Sequence, residues 1–194
     1  VHLMPGAVDG ALSELRRLLG AERVVTDRAE LEFHSQDVYR SGELPAAIIR
    51  PTSTAQLAEA LRAIAPARLP IVPRGGGMSY TDGYLPKSPG SIMVDLLAMD
   101  RVETIDAEDC YVTVQCGATW KSLFEALAPH GVRTPYYGPL SGLRSSVGGA
   151  LSQGSIFLGS GRYGPAAESV IGLDVVTADG RVLHLGSHAN KNGK

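Results

Sequence analysis

The run Pro73-Arg74-Gly75-Gly76-Gly77-Met78-Ser79 leaves little freedom in how its surroundings fold. Three consecutive glycines follow the short apolar run Pro70-Ile71-Val72 and end at a small hydroxyl residue. Without Cβ atoms, such a loop reaches backbone angles closed to other residues and can turn several N–H groups toward one point. Successive inward-facing N–H groups form a nest for an anion, a phosphate or pyrophosphate above all. A tight strand-exit loop with no ligand has the same composition, so the flanking residues decide between the two.

Upstream, residues 46–50 (Ala-Ala-Ile-Ile-Arg) read as a short buried strand ended by Pro51. Ser53 follows as a helix cap, with Gln56 three positions on to complete a capping box. The helix 54–65 turns Leu57, Ala60, Leu61 and Ile64 inward, and 70–72 is the next strand. Strand, helix and strand within about thirty residues is the size of a parallel βαβ unit. The glycine loop therefore stands at the carboxyl end of a parallel strand, where open α/β sheets hold their ligands.

The remaining chain divides around this module. Residues 9–19 form an amphipathic helix with Leu12, Leu15, Leu18 and Leu19 on one stripe and Gly20 as its stop. Residues 92–95 read as a buried strand, and 102–106 and 110–116 alternate as an antiparallel pair joined by Ala107-Glu108-Asp109. A helix from Thr119 to about His130 presents Trp120, Leu123, Phe124 and Leu127 to a core and stops at Gly131. Leu173–Ala178, a turn at Asp179-Gly180 and 181–185 make a closing hairpin. Between them, 135–164 is almost wholly Gly, Pro, Ser, Tyr and small apolar residues, a composition that calls for a ligand or a partner backbone against it. Within it, Ser145-Ser146-Val147-Gly148-Gly149-Ala150 reads as a loop entering a short helix, again suited to phosphate.

Composition excludes several classes. A net charge of −2 gives no reason to expect nucleic acid or an anionic membrane as partner, and no apolar run approaches the ~20 residues of a membrane span. The strand periodicity puts Cys110 and Cys116 on one face but ~20 Å apart, too far for a disulfide. Buried free thiols fit a reducing, cytoplasmic setting. His184 and His188 have half the spacing of a zinc site but no cysteine or acidic companions, so no metal is expected. His34 and Asp37 are a candidate polar pair, with a structural hydrogen bond as the plainer account. Neither a Gly-x-Ser-x-Gly elbow, nor a phosphate loop ending in Gly-Lys-Ser/Thr, nor a strict Gly-x-Gly-x-x-Gly after the first strand is present.

Taken together, Pro45 to Ser53 leading a helix, Pro73 to Ser79, Ile92-Met-Val-Asp-Leu96 and Val112-Thr-Val-Gln-Cys-Gly117 form an ordered set. It continues through Ser146-Val-Gly-Gly149, Arg162-Tyr-Gly164, Val170 to Val176 and Asp179-Gly180. This set resembles the FAD-binding domain of the vanillyl-alcohol oxidase / p-cresol methylhydroxylase superfamily, to which glycolate oxidase and D-lactate dehydrogenase flavoproteins belong. The resemblance implies an α+β, two-lobed fold with FAD between the lobes. A helical lead-in (1–44) would precede a small parallel βαβ lobe (about 45–100) and a larger, mainly antiparallel lobe flanked by helices (about 101–194). Pro73, Arg74, Gly75, Gly76, Gly77, Met78 and Ser79 would wrap the pyrophosphate. Pro139, Leu140, Ser145, Ser146, Gly148, Gly149, Ser152 and Gly154 would line its other side, and Ile171 would meet the adenine.

Two departures refine this. Members that attach FAD covalently through this domain carry a histidine where Met78 stands, so non-covalent FAD is expected unless a residue outside this chain bonds it. The lactate/glycolate branch has an asparagine and further glycines after the position of Gly149, whereas this chain has Ser152-Gln153-Gly154-Ser155. The end at Asn190 to Lys194 resembles the point where family members continue, so the large lobe is expected to be truncated and the cap domain, with its catalytic residues, absent. The expected function is the FAD-binding portion of an oxidoreductase acting on an alcohol, 2-hydroxy acid or phenolic substrate, with oxygen or a carrier protein as electron acceptor. A non-catalytic FAD-binding subunit working beside a partner chain is the alternative. An FAD-dependent reductase of an enolpyruvyl sugar nucleotide is a third, its serine-containing loop unmatched here. Valine at Gly76 is expected to fill the phosphate space.

Overall fold

A computed structural model describes residues 6–136 and 140–186. Its first lobe is built on a four-stranded sheet of order β1-β2-β4-β3, from β1 (Val24–Val25), β2 (Ala47–Ile49), β3 (Ile71–Arg74) and β4 (Ile92–Asp95). Strands β2 and β3 both run parallel to β4, which lies between them, and β1 pairs antiparallel at the far edge. The βαβ unit read from the sequence is therefore open in the middle, and the third parallel strand fills the gap. Ile48, Ile49, Ile92 and Met93 lose all solvent contact there. Each such side chain contributes on the order of 1.5–3 kcal/mol.

Two helices cover one face of this sheet. Helices α1 (Ala7–Leu19) and α3 (Thr54–Ile64) bury Leu12, Leu15, Leu19, Leu57, Leu61 and Ile64 against Ala47, Ile49, Ile92 and Val94. On the other face Leu31 of α2 (Arg28–His34) meets Ile48 and Met93. The segment read as a helical lead-in thus packs into the core of the first lobe. The cap of α3 forms as its sequence requires, with Ser53 Oγ accepting from the Gln56 N–H at 3.2 Å. The Gln56 amide oxygen reaches one residue beyond the expected box, accepting from Thr52 N–H at 3.0 Å and Thr52 Oγ at 2.9 Å.

The second lobe holds two antiparallel hairpins, β5 (Val102–Asp106) with β6 (Tyr111–Val114), and β7 (Gly172–Val176) with β8 (Val182–Gly186). Among the described residues these are two separate two-stranded antiparallel sheets. Helix α4 (Trp120–Leu127) and α5 (Val147–Ser152) close over β5 and β6 around Trp120, Leu123, Leu127, Val147 and Ala150. A short α6 (Ser160–Tyr163) follows. The β7–β8 turn returns to the first lobe, where Arg62 of α3 donates to the Gly180 carbonyl at 2.8 Å.

Two expectations are corrected here. Phe124 is 48% exposed, because it flanks the 120–123–127 stripe that faces the second lobe's core. Cys110 is no strand residue: it closes the β5–β6 turn at φ +56° and is exposed, so only Cys116 is partly buried. Both thiols are free, as expected.

Candidate cofactor site

The glycine loop leaves β3 at Arg74, beside Asp95 at the end of β4. What its glycines are for becomes visible only in the tertiary structure. A Cβ on Gly76 would lie inside the carbonyl of Arg144, and one on Gly75 would overlap Ser146 Oγ. The glycines therefore admit the backbone of the second loop, and the expectation that valine at Gly76 would fill phosphate space is corrected. Gly77 is different: φ is +67°, and the space a Cβ would need is held by the Arg74 guanidinium.

The two loops differ in what their glycine amides do. Among the described residues no acceptor takes the backbone N–H groups of Gly75, Gly76, Gly77, Met78 or Ser79. At the start of α5, Val147 N–H donates to Ala118 O at 2.8 Å and Gly148 N–H to Cys116 O at 2.8 Å. Gly149 N–H goes to the capping Ser146 Oγ at 3.2 Å. The first helical turn that suggested a second phosphate cradle is thus spent on the 116–118 segment and on its own cap. Gly148 packs on Cys116, whose Cβ would be 2.6 Å from an added Cβ.

Arg74 supplies the site's charge. The residue is 7% exposed, Nη1 reaches Gly75 O at 3.4 Å, and the guanidinium lies over the Tyr84 ring, 5.1 Å from its centroid. Its Nε is buried without a partner, and no carboxylate comes within ion-pair distance among the described residues. Burial pushes its pKa down, with Asp95 opposing, yet a guanidinium remains charged in proteins. A buried cation held this way favours an anion close by. Asp95 cannot fill that role, because it is shared by Arg50 Nε at 3.3 Å and the Leu97 N–H at 3.1 Å. A diphosphate fits what is present: an uncompensated guanidinium beneath a run of free amides.

Other expected site residues divide by position. Ser79 is buried, and its Oγ accepts from Thr81 N–H at 3.2 Å and lies 3.1 Å from Thr81 Oγ. Ser145 and Ser146 meet the first loop directly, and Met78 and Pro73 stand within it. Ser152 Oγ bonds back to Gly148 O at 2.8 Å, and Gly154 is an exposed turn at φ +59°. Neither is brought to the glycine loop by a described contact, nor is Ile171, which precedes β7. Leu140 opens a 3-10 turn, and Pro139 lies outside the described residues.

His34 and Asp37 do not pair. The His34 Nδ1 lies 2.9 Å from Glu30 O and its Nε2 3.8 Å from Asp95. Asp37 accepts from the N–H groups of Tyr39, Arg40 and Asp82, which holds its carboxyl below the usual range. His184 pairs with Asp174 across the second hairpin, while His188 lies outside the described residues. No cluster of three or more metal-ligating side chains occurs among the described residues. Sequence reasoning missed Tyr84, Arg144 and Gln153, the last lying 3.6 Å from where a Gly83 Cβ would stand. Nothing local marks any of them.

The FAD binding domain family matches residues 45–186. An uncharacterised FAD-linked oxidoreductase of Escherichia coli strain K12, YgcU, is 31% identical over 183 residues, covering 90% of this chain and 38% of its own length. The glycolate oxidase subunit GlcD of Bacillus subtilis strain 168 is 32% identical over 182 residues, covering 92% of this chain and again 38% of its own. The chain therefore spans well under half the length of these relatives. Among solved structures, p-cresol methylhydroxylase with substrate bound superposes with a TM-score of 0.72 at 21% identity, over 94% of this chain and 36% of that one, a likeness of fold. With its glycine loop at the carboxyl end of a parallel strand and its second loop folded against it, this chain belongs to the FAD binding domain family.

Proposed function

We propose that the chain is the FAD-holding portion of a flavin-dependent oxidoreductase that oxidises an alcohol, a 2-hydroxy acid or a phenolic substrate. The observation that carries this reading is the run of unspent amides from Gly75 to Ser79 above the unpaired Arg74. These amides would bind the diphosphate, and Arg74 would balance its charge. Ser145 and Ser146 would bound it from the second loop, and Ile171 would meet the adenine. Bound FAD would supply the ring that accepts a hydride, with the protein orienting it. Met78 offers no imidazole for a covalent link through this loop, so this chain would hold the cofactor non-covalently. No described residue is assigned a catalytic role.

A second reading, an FAD-binding subunit that works beside a partner chain, is favoured by one observation: GlcD is itself named a subunit. Oxygen or a carrier protein would take the electrons. No described helix is long and apolar enough to cross a membrane, and two free thiols suit a reducing compartment such as the cytoplasm. The visible spectrum of the purified protein, repeated on the supernatant after acid precipitation, tests the proposal. Flavin released into the supernatant is expected. Flavin retained in the pellet would mean a covalent link, and a colourless protein that takes up no added FAD would overturn the cofactor assignment.

A further inference from the structure

Tyr84 stands outside the glycine loop yet touches it at both ends. Its hydroxyl lies 3.0 Å from Gly77 O and 3.2 Å from Gln36 O. Its ring lies beneath the Arg74 guanidinium, whose Nη1 reaches Gly75 O at 3.4 Å. Burial pushes the phenol's pKa up, so the hydroxyl is a donor at neutral pH.

The consequence follows from peptide geometry. A trans peptide directs its C=O and the next residue's N–H in opposite directions, and no described peptide here is cis. Drawing the Gly75 carbonyl toward Arg74 therefore turns the Gly76 N–H away from it. Drawing the Gly77 carbonyl toward Tyr84 does the same for the Met78 N–H. Both of these amides are among those without a partner in the described residues.

We infer that Tyr84 is a positioning residue for the diphosphate loop: by holding the Gly77 carbonyl and backing the Arg74 guanidinium, it keeps the Gly76 and Met78 amides turned toward the ligand. This rests on the reading of the loop as the FAD diphosphate site. Through Gln36 it also ties the loop to the segment between α2 and β2. Tyr84 touches no cofactor in this scheme and acts through the loop backbone alone.

The test compares wild type, Tyr84→Phe and Arg74→Lys as flavin-free full-length chains. Phenylalanine keeps the ring under Arg74 and removes only the hydroxyl. Lysine keeps the charge and removes the planar group and its bond to Gly75 O. FAD and ADP are each expected to bind Tyr84→Phe about tenfold more weakly, ~1.4 kcal/mol, while riboflavin, which has no diphosphate, binds unchanged. A merely structural role would weaken all three together. The Gly76 and Met78 amide chemical shifts, read by NMR without flavin, are expected to move in Tyr84→Phe.

Unchanged amide shifts together with wild-type FAD affinity would overturn the inference, and so would an equal loss of riboflavin. Should Tyr84→Phe not fold, Arg74→Lys decides: a shifted Gly76 amide with weaker ADP binding upholds the inference, and neither change overturns it. A wild type that binds neither FAD nor ADP sinks the diphosphate reading itself. The shift comparison then still reports whether Tyr84 sets the loop.

Discussion

The two glycine-rich loops look alike in sequence and do opposite work. Loop 74–79 keeps its amides free and gives up its side-chain space to the backbone of the other loop. Loop 144–149 spends the amides of Val147, Gly148 and Gly149 on Ala118, Cys116 and the Ser146 cap, and in doing so is tied to the 116–118 segment as a wall. Glycine thus serves two purposes: freeing N–H groups for a ligand, and letting two backbones approach. A glycine cluster reveals a ligand site only when the fate of its amides is known. The difference also separates binding from stability, because damage to the contact between the loops should destabilise the fold while damage to the set of the free amides should release the cofactor.

The largest effect is expected at Gly76→Val. Its side chain would collide with the Arg144 carbonyl, and overpacking of this kind costs about 1–3 kcal/mol or more. The flavin-free protein should melt lower by roughly 2–4 °C per kcal/mol lost. A variant with wild-type melting and only its flavin missing would show that Gly76 faces the ligand after all. Gly77→Ala comes next, forcing a Cβ into a left-handed backbone and against Arg74. Left-handed strain of about 1–2 kcal/mol should appear in both melting and FAD affinity, since this glycine shapes the free loop itself.

Ser146→Ala sharpens the comparison most directly. Loss of a helix cap costs about 1 kcal/mol, so melting should fall while the FAD dissociation constant stays within about twofold. A tenfold loss of FAD affinity would make the second loop a ligand contact as well as a wall. Asp37 should give the smallest effect. Its folded-state pKa lies below the unfolded value, so its stabilisation is fully present above about pH 4. It is lost as the pH falls through the lowered folded value. Melting curves of wild type and Asp37→Asn should therefore converge below about pH 4, and a constant difference down to pH 2 would rule this out.

Much of the first lobe was legible because its signals are local. Ser53 and Gln56 mark a helix start through bonds spanning three or four residues. The apolar 46–50 and 92–95 stretches mark strands buried on both faces. The second lobe was less legible. Phe124 sits one position beside its helix's stripe, so its exposure depended on what packs over it. Cys110 continues a strand-like alternation, but the β5–β6 turn needed a residue in the left-handed region and took it. In the site, the first loop was readable from its glycines and position, whereas Arg74 and Tyr84 were not readable as a unit. The loop's resemblance placed Arg74 at the pyrophosphate, but its burial and the aromatic face against it belong to the tertiary structure.

The sequence by itself determined the strand–helix–strand order, the helix caps, the place of the glycine loop and the family, because each depends on residues a few positions apart or on their order along the chain. Only the tertiary structure decided that β4 slots between β2 and β3, and that the Val147, Gly148 and Gly149 amides of the second loop are already taken. It alone also placed the buried guanidinium with Tyr84 beneath the free amides. Hydrogen-bond donors are shared out among partners that lie far apart in sequence. Which amides remain for a ligand is settled when those partners meet, and composition cannot show it.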